Sequence, residues 1–147
     1  MPSILVKSFQ ELSKLELYNI LKLRAEVFIV EQNCVYQDID DKDFKALHVF
    51  LKQSDQIVGY TRIFWPGDYF KEASIGRVVV SKNTRHKNYG SNLMLASIDA
   101  IYKKMKTKKI KISAQTYLKN FYNSFGFYEK GNEYLEDGIP HIAMLKE

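Results

Sequence analysis

This 147-residue chain contains only one cysteine, three prolines and seven glycines, so it has few residues that form cross-links or interrupt helices and strands. Because a single thiol, Cys34, cannot form a disulfide within the chain, the sequence excludes a disulfide scaffold and favours a reducing compartment, the cytoplasm. No apolar run approaches the roughly 18 residues that cross a bilayer, so no membrane span is expected. The start, Met1-Pro2-Ser3-Ile4, lacks a basic segment followed by an apolar one and therefore predicts no secretory signal.

Repeats, low-complexity tracts and linkers rich in Pro, Gly or Ser are also missing, which favours one domain over residues 1–147. The net charge of +5 has two interpretations. It can attract polyanions, either nucleic acid or the phosphates of a nucleotide cofactor, or it can be a solvated lysine face. Six lysines between residues 103 and 111 favour the second, because they crowd the predicted end of a helix. No nucleic-acid-binding motif accompanies the aromatic residues.

Apolar periodicity predicts strands and helices in a mixed order. The predicted strands are residues 4–9, 48–51, 56–65, 73–81, 110–114, 127–128 and 139–145. The predicted helices are residues 12–30, 88–105 and 117–124. The segment between the last two strands is rich in Glu, Asp and Gly and is predicted to be a loop. This order favours an α+β fold in which helices cover a mixed sheet.

The segment most informative about chemistry runs from Gly76 to Ser91, where an apolar strand leads through a basic turn into an amphipathic helix. The amides at such a helix start, together with the helix dipole, favour an anion. Asn88 and Gly90 tolerate positive φ, so neighbouring amides can converge on one concavity. Further side-chain donors come from three consecutive basic residues, Arg85, His86 and Lys87. The segment by itself leaves phosphate binding and a plain strand-to-helix turn equally open, because short glycine-containing turns are common.

This segment resembles the acyl-CoA motif of the GCN5-related N-acetyltransferase (GNAT) superfamily, an apolar strand followed by Arg/Gln-x-x-Gly-x-Gly/Ala. Asn88 stands at the middle glycine, and asparagine is the next best residue for a left-handed backbone. The resemblance implies a bulge in the strand that places Val78, Val79 and Val80 beside the pantetheine arm. It also implies that the CoA pyrophosphate is bound by the amides of the turn and helix start: Arg85, His86, Lys87, Asn88, Tyr89, Gly90 and Ser91.

A second match lies downstream, where residues 115–127 resemble the family's Asn-x6-Tyr-x3-Gly-Phe signature with Gln115 in place of Asn. It implies that Gln115 lies at the cofactor and that Tyr122 is the general acid for the departing thiolate. A tyrosine on a short helix beside a thioester can donate this proton on chemical grounds alone. The structural alternative for Tyr122 is a core aromatic whose hydroxyl is capped.

Residues 24–40 and 134–142 resemble the ElaA branch of bacterial GNAT proteins, and the similarity extends over nearly the whole chain. The resemblance implies the GNAT fold, a central mixed, mostly antiparallel sheet of about six to seven strands flanked by helices. It implies acetyl-CoA as co-substrate, a small amine as acceptor, and no metal, nucleic acid or membrane. It allows a homodimer, which no residue pattern requires.

The acceptor amine has to lose a proton before it attacks, since an alkylammonium is mostly charged at neutral pH. GNAT enzymes often carry a base at a central-strand position that Gly76 occupies here. Glu31 is the first alternative, because it continues the helix face of Arg24. The structural alternative for Glu31 is an ion pair with Arg24. His48 and His141 follow, since histidine titrates near neutrality, and each can instead fix a loop by hydrogen bonding.

The backbone N–H of Val78 is expected to stabilise the oxyanion. The acidic segments 38–43 and 133–137 either flank the acceptor site and select a cationic amine or are hydrated loops. Two other functions remain open beside the acetyltransferase. One is a catalytically weak acyl-CoA-binding sensor or interaction protein, which the departures at Gly76 and Asn88 allow. The other is a nucleic-acid-binding module, suggested only by charge.

Overall fold

Seven strands form one sheet in the computed structural model, which describes residues 2–147. They are β1 (Ser3–Ser8), β2 (Leu47–Gln53), β3 (Gln56–Phe64), β4 (Ala73–Val80), β5 (Ile110–Gln115), β6 (Tyr128–Glu136) and β7 (Ile139–Lys146). Their order across the sheet is β1-β2-β3-β4-β5-β7-β6. All neighbours are antiparallel except β4 and β5, so the predicted mixed, mostly antiparallel sheet is confirmed.

The helices are α1 (Lys14–Arg24), α2 (Tyr89–Met105) and the short α3 (Lys119–Asn123). Three short 3₁₀ segments occur at Lys42–Lys45, Lys82–Lys87 and Thr116–Leu118. A capping box starts α1: the Ser13 hydroxyl accepts from the Glu16 amide, and the Glu16 carboxylate accepts from the Ser13 amide. The helix predicted over residues 12–30 changes after Arg24 to a π-helical segment, Ala25–Glu31, a geometry frequent at functional sites.

The central strands of the sheet are buried on both faces, which makes the fold three-layered. In β2, Val49 and Leu51 belong to the core under α2, whereas Phe50 between them belongs to the core under α1. Because side chains alternate along a strand, this run of apolar residues fills both faces at once. The core under α2 is completed by Leu93, Met94 and Ile101 of that helix. The core under α1 is completed by Ile20 and Leu23 of α1 and by Phe28 of the π-helical segment.

The loop predicted before the last strand is wrong, because residues 128–136 form the edge strand β6. Its side chains are almost all exposed, so the alternation of apolar and polar residues that marks a half-buried strand is missing. Asp137 and Gly138, both at positive φ, make the two-residue turn into β7. The hairpin places Tyr134 opposite His141 and Glu136 opposite Ile139.

Candidate active site

The sheet opens between β4 and β5. These parallel strands pair only at Ala73 with Ile110 and at Ser74 with Lys111, and they diverge beyond that point. The pairing register between β3 and β4 also shifts, because Tyr60 pairs with Val79 but Arg62 pairs with Gly76. One extra residue of β4 is therefore accommodated between these two pairs. Arg77 lies in this irregularity at φ 51°, which identifies the bulge that the sequence predicted.

A cavity of about 510 Å³ lies at this opening and is called the larger cavity below. It gathers most of the residues predicted to contact a cofactor: Val78, Val79, Val80, Arg85, Asn88, Gly90, Ser91 and Gln115. Apolar and aromatic residues that the sequence analysis did not assign complete its wall: Val27, Phe28, Tyr117, Leu118 and Phe121. These residues come from the π-helical segment, the 3₁₀ segment Thr116–Leu118 and α3, so no local sequence pattern predicts that they meet.

The turn before α2 has the backbone expected of an anion site. Asn88 lies in the left-handed region at φ 60° and ψ 21°, as the sequence predicted, and no side chain caps the helix. The first amides of α2 therefore lack the partner that an N-cap side chain supplies. Gly90 departs from expectation, because it lies inside the helix without positive φ. A Cβ there would meet Phe121 and Val80 at 3.7 Å each, so the wall itself has room for a small side chain.

Three predicted cofactor residues lie outside the cavity wall. The side chains of His86 and Lys87 are exposed to solvent, and that of Tyr89 is buried in the core under α2. None of these three side chains therefore lines the larger cavity.

Glu31 lies in the wall of the larger cavity and binds Arg85 rather than Arg24. The guanidinium donates two hydrogen bonds, of 2.6 and 2.8 Å, to the two carboxylate oxygens. These hydrogen bonds and the positive charge of Arg85 hold the pKa of Glu31 below its ordinary value. Glu31 does not line the smaller cavity described next, and its role as general base stays a prediction.

A smaller cavity of about 100 Å³ adjoins the larger one on the side of β5 and β7. Its polar wall includes Ser113, Gln115, Glu136 and His141. Glu136 belongs to the predicted acidic segment 133–137, whereas Ser113 was not singled out. The signal that could have revealed this group is the Asp137-Gly138 dipeptide, which predicts a hairpin and hence two adjoining strands.

Tyr122 lines both cavities. Its side chain is buried against Phe121 and Phe127, and its hydroxyl bonds no protein group within residues 2–147. Burial raises the pKa of the phenol well above its ordinary value, and the neighbouring Tyr117 phenol adds to the shift. The alternative of a capped core hydroxyl does not fit, since no cap is present among the described residues.

Three of the four aspartates in the acidic segment 38–43 are bound to arginines, and Asp41 is exposed. Asp38 and Asp43 are buried and both bind Arg24, at 3.0 and 2.8 Å. Asp43 also accepts from Arg62, which in turn makes a bidentate pair with Asp40. Neither alternative therefore describes Asp38, Asp40 and Asp43, whereas exposed Asp41 fits the hydrated loop.

Arg77 extends the same cluster to the bulge. Its Nε donates to Asp38 Oδ1 at 2.8 Å, and its Nη2 donates to the Asp38 carbonyl at 3.2 Å. Three arginines thus balance three aspartates beneath the smaller cavity. These hydrogen bonds hold the side chain of Arg77, the residue of β4 with left-handed backbone. Surrounding contacts of this kind allow a strained backbone conformation to persist at a site.

His48 does not belong to either cavity. It is 1% exposed, and both ring nitrogens are engaged, Nδ1 with the Tyr60 hydroxyl at 2.6 Å and Nε2 with the Asp43 carbonyl at 3.0 Å. Burial lowers the pKa of His48. Its assignment as a catalytic base is corrected, and its contacts are those of the alternative, a histidine that fixes a loop.

Two further properties concern the described residues as a whole. No group of three or more His, Cys, Asp or Glu side chains within residues 2–147 is arranged to hold a metal ion. Over the same range, no helix has the length and apolar character needed to span a membrane.

A mixed seven-stranded sheet that opens at a bulged central strand, beside a helix with an uncapped start, is the architecture of acyl-CoA N-acyltransferases. The crystal structure of an acyl-CoA N-acyltransferase from Pseudomonas aeruginosa superposes with a TM-score of 0.93 at 35% identity, over 99% of both chains. The crystal structure of Escherichia coli ElaA gives a TM-score of 0.93 at 40% identity, over 100% of both chains.

The sequence comparisons agree. The model of the acetyltransferase (GNAT) domain matches residues 10–147. Protein ElaA of Escherichia coli strain K12 is 42% identical over 139 residues, which span 93% of this chain and 91% of ElaA. The chain therefore belongs to the GNAT acetyltransferase family, and the resemblance to ElaA is confirmed.

Proposed function

We propose that this protein transfers the acetyl group of acetyl-CoA to a primary amine of a small acceptor, by direct attack within one domain. The observation that carries the proposal is the position of Tyr122, whose side chain lines both the larger and the smaller cavity. A phenol between two compartments can serve a thioester that lies in one and a nucleophile that enters from the other. We further propose the cytoplasm as its location, which suits the lone Cys34.

In this proposal the larger cavity holds acetyl-CoA. The turn of residues 85–91 encloses the diphosphate, and the free amides at the start of α2 bind it, with Asn88 supplying the left-handed turn and Gly90 the absence of a side chain. The pantetheine arm follows Val78, Val79 and Val80, since a bulge leaves backbone groups without their ladder partners. Gln115, at the end of β5, contacts the same arm.

The reaction follows from these positions. The amine attacks the thioester carbonyl, and the Val78 N–H donates to the oxyanion that forms. The carbon–sulfur bond then breaks, and the Tyr122 hydroxyl protonates the sulfur. Burial keeps this phenol neutral at physiological pH, so its proton is present when the thiolate leaves.

A two-part experiment tests the proposal. Acetyl-CoA at 100 times its Kd adds about 2.7 kcal/mol to the unfolding free energy, so it raises the melting temperature, whereas an oligonucleotide at the same concentration leaves it unchanged. Thiol release is then measured with acetyl-CoA and a panel of primary amines. Stabilisation without release for any amine would favour the acyl-CoA-binding sensor over the enzyme, and stabilisation by the oligonucleotide alone would contradict both.

A further inference from the structure

His141 has one ring nitrogen bound and the other uncommitted in the wall of the smaller cavity. Its Nδ1 lies 2.7 Å from the Ile139 carbonyl oxygen, which can only accept, so the proton of the neutral ring is on Nδ1 and the lone pair on Nε2. Nε2 lies 3.6 Å from the nearest oxygen of Glu136, too far for a hydrogen bond. An imidazole in this tautomer presents a base to the cavity.

Glu136 is held so that one carboxylate oxygen stays directed at this ring. Its Oε1 accepts from the Ser113 hydroxyl at 3.1 Å, and that hydroxyl in turn accepts from Tyr134. The relay uses Oε1 and leaves Oε2 as the oxygen nearest Nε2. A negative charge there stabilises an imidazolium once Nε2 takes up a proton.

The strand register fixes the imidazole in place. His141 pairs with Gln115 of β5 on one side and with Tyr134 of β6 on the other. The Tyr134 ring stacks on the imidazole, with centroids 6.2 Å apart and an interplanar angle of 24°, and His141 is 6% exposed. The other titratable groups that line this cavity are Tyr36, Arg62, Tyr69, Arg77, Tyr122 and Asp137.

We propose that His141 is the general base for the acceptor amine and that Glu136 is its positioning residue; the inference rests on the acetyl transfer proposed above. Nε2 takes one proton from the ammonium, and the freed lone pair attacks the thioester carbon. When the carbon–sulfur bond breaks, sulfur takes the proton of Tyr122, and the second proton lost by nitrogen restores that phenol. The imidazolium then releases its proton to solvent, so each cycle yields one amide, one thiol and one proton.

The test compares His141→Gln with wild type in acetyl-CoA binding and in the pH dependence of thiol release. Glutamine keeps a polar side chain that can donate to Ile139 but cannot act as a base. We expect unchanged acetyl-CoA affinity and a kcat lower by about 10²–10⁴-fold at pH 7, the range of general-base catalysis. The deficit should narrow as pH approaches about 10, because the free amine then forms in solution.

Glu136→Gln tests the same idea with a change that leaves the base in place, and it serves if His141→Gln does not fold. Loss of the carboxylate removes the negative charge nearest Nε2, so the acid limb of kcat/KM should move to lower pH. Glu133→Gln, which removes the same charge from an exposed position on β6, should leave the limb in place.

The outcomes separate the two proposals. An active wild type whose kcat and acid limb are unaltered in both His141→Gln and Glu136→Gln would overturn the assignment of His141 and leave acetyl transfer intact. A wild type that binds acetyl-CoA but releases no thiol with any amine would overturn acetyl transfer and the base with it.

Discussion

Arg85 and Glu31 form a bidentate ion pair in the wall of the larger cavity, with N–O distances of 2.6 and 2.8 Å. The pair joins the π-helical end of the first helix to the turn before α2, and Arg85 also donates from Nε to the Val80 carbonyl at 3.2 Å. The Arg85 guanidinium, which the sequence analysis named as a further donor to phosphate, is therefore already bound to a carboxylate in the free protein. In the proposed complex, the phosphates of acetyl-CoA and the Glu31 carboxylate would compete for this guanidinium.

Replacing Glu31 with glutamine should tighten acetyl-CoA binding modestly, because it releases Arg85 and removes a negative charge near the diphosphate. The two side chains are 42% and 33% exposed, so the pair is worth at most about 1 kcal/mol, or about five-fold in Kd. Titration calorimetry measures the change, with Glu26→Gln on the same segment as control. Weaker binding would show instead that Glu31 orients Arg85 for the cofactor.

Tyr122→Phe should retain acetyl-CoA affinity and slow acetyl transfer by about 10²–10⁴-fold, the contribution typical of a positioned acid. The change removes one oxygen and leaves the packing against Phe121 and Phe127 in place. Tyr18→Phe, at an exposed position on α1, is the matched control and should keep full activity. Equal turnover in Tyr122→Phe would mean that another group protonates the sulfur.

Gly90→Ala should separate stability from binding. Glycine inside a helix costs up to about 1 kcal/mol relative to alanine, and the new Cβ has only ordinary contacts at 3.7 Å, so the free protein should melt no lower than wild type. The methyl group lies in the wall of the larger cavity, so the thermal shift with acetyl-CoA should shrink, and Gly90→Leu should abolish it. Full shifts in both variants would place the diphosphate elsewhere.

Arg24→Ala should destabilise the fold by about 3 kcal/mol, the low end for breaking a buried ion pair, because Asp38 and Asp43 each lose one of their two cations and keep Arg77 and Arg62. Equilibrium unfolding in urea measures the loss. Lys22→Ala, an exposed cation two residues earlier on α1, should change stability by no more than about 0.5 kcal/mol. Similar small effects for both would mean that Arg77 and Arg62 are enough to balance the charges of Asp38 and Asp43.

The same cluster should make stability fall in acid. Desolvation acts to raise the pKa of Asp40, but hydrogen bonding to Arg62 and the nearby positive charges outweigh it and lower that pKa to about 2. Folding therefore favours the ionised carboxylate, and this stabilisation is complete above about pH 4 and is lost as pH falls through about 2. Melting temperatures should fall less steeply over this range in Asp40→Asn than in wild type. Asp55→Asn, in an exposed turn, should follow the wild-type curve.

Local patterns in the sequence predicted the parts of the site that local backbone determines. The left-handed conformation of Asn88 was predictable because asparagine is one of the few residues that tolerate it. The strand that contains Val78, Val79 and Val80 was predictable from its β-branched residues. The hairpin of β2 and β3, the long α2 and the sheet class follow from periodicity in the same way.

Sequence patterns did not predict the pairing of charges distant along the chain. Arg24 finds Asp38 and Asp43, 14 and 19 residues away, rather than Glu31 on its own helix face, because the π-helical segment and the following loop bring the aspartates over the arginine. The sequence also did not predict β6, because both faces of this edge strand are exposed and its residues are mostly polar. The position of His141 depends on that strand, which is why it ranked below Glu31 among the candidate bases.

The most direct test of the account is a crystal structure of the protein with acetyl-CoA. We predict diphosphate oxygens within hydrogen-bond distance of the amides of residues 85–91 and the thioester sulfur within reach of the Tyr122 hydroxyl. A complex with the diphosphate away from that turn, or with the sulfur on the far side of the sheet from Tyr122, would contradict it.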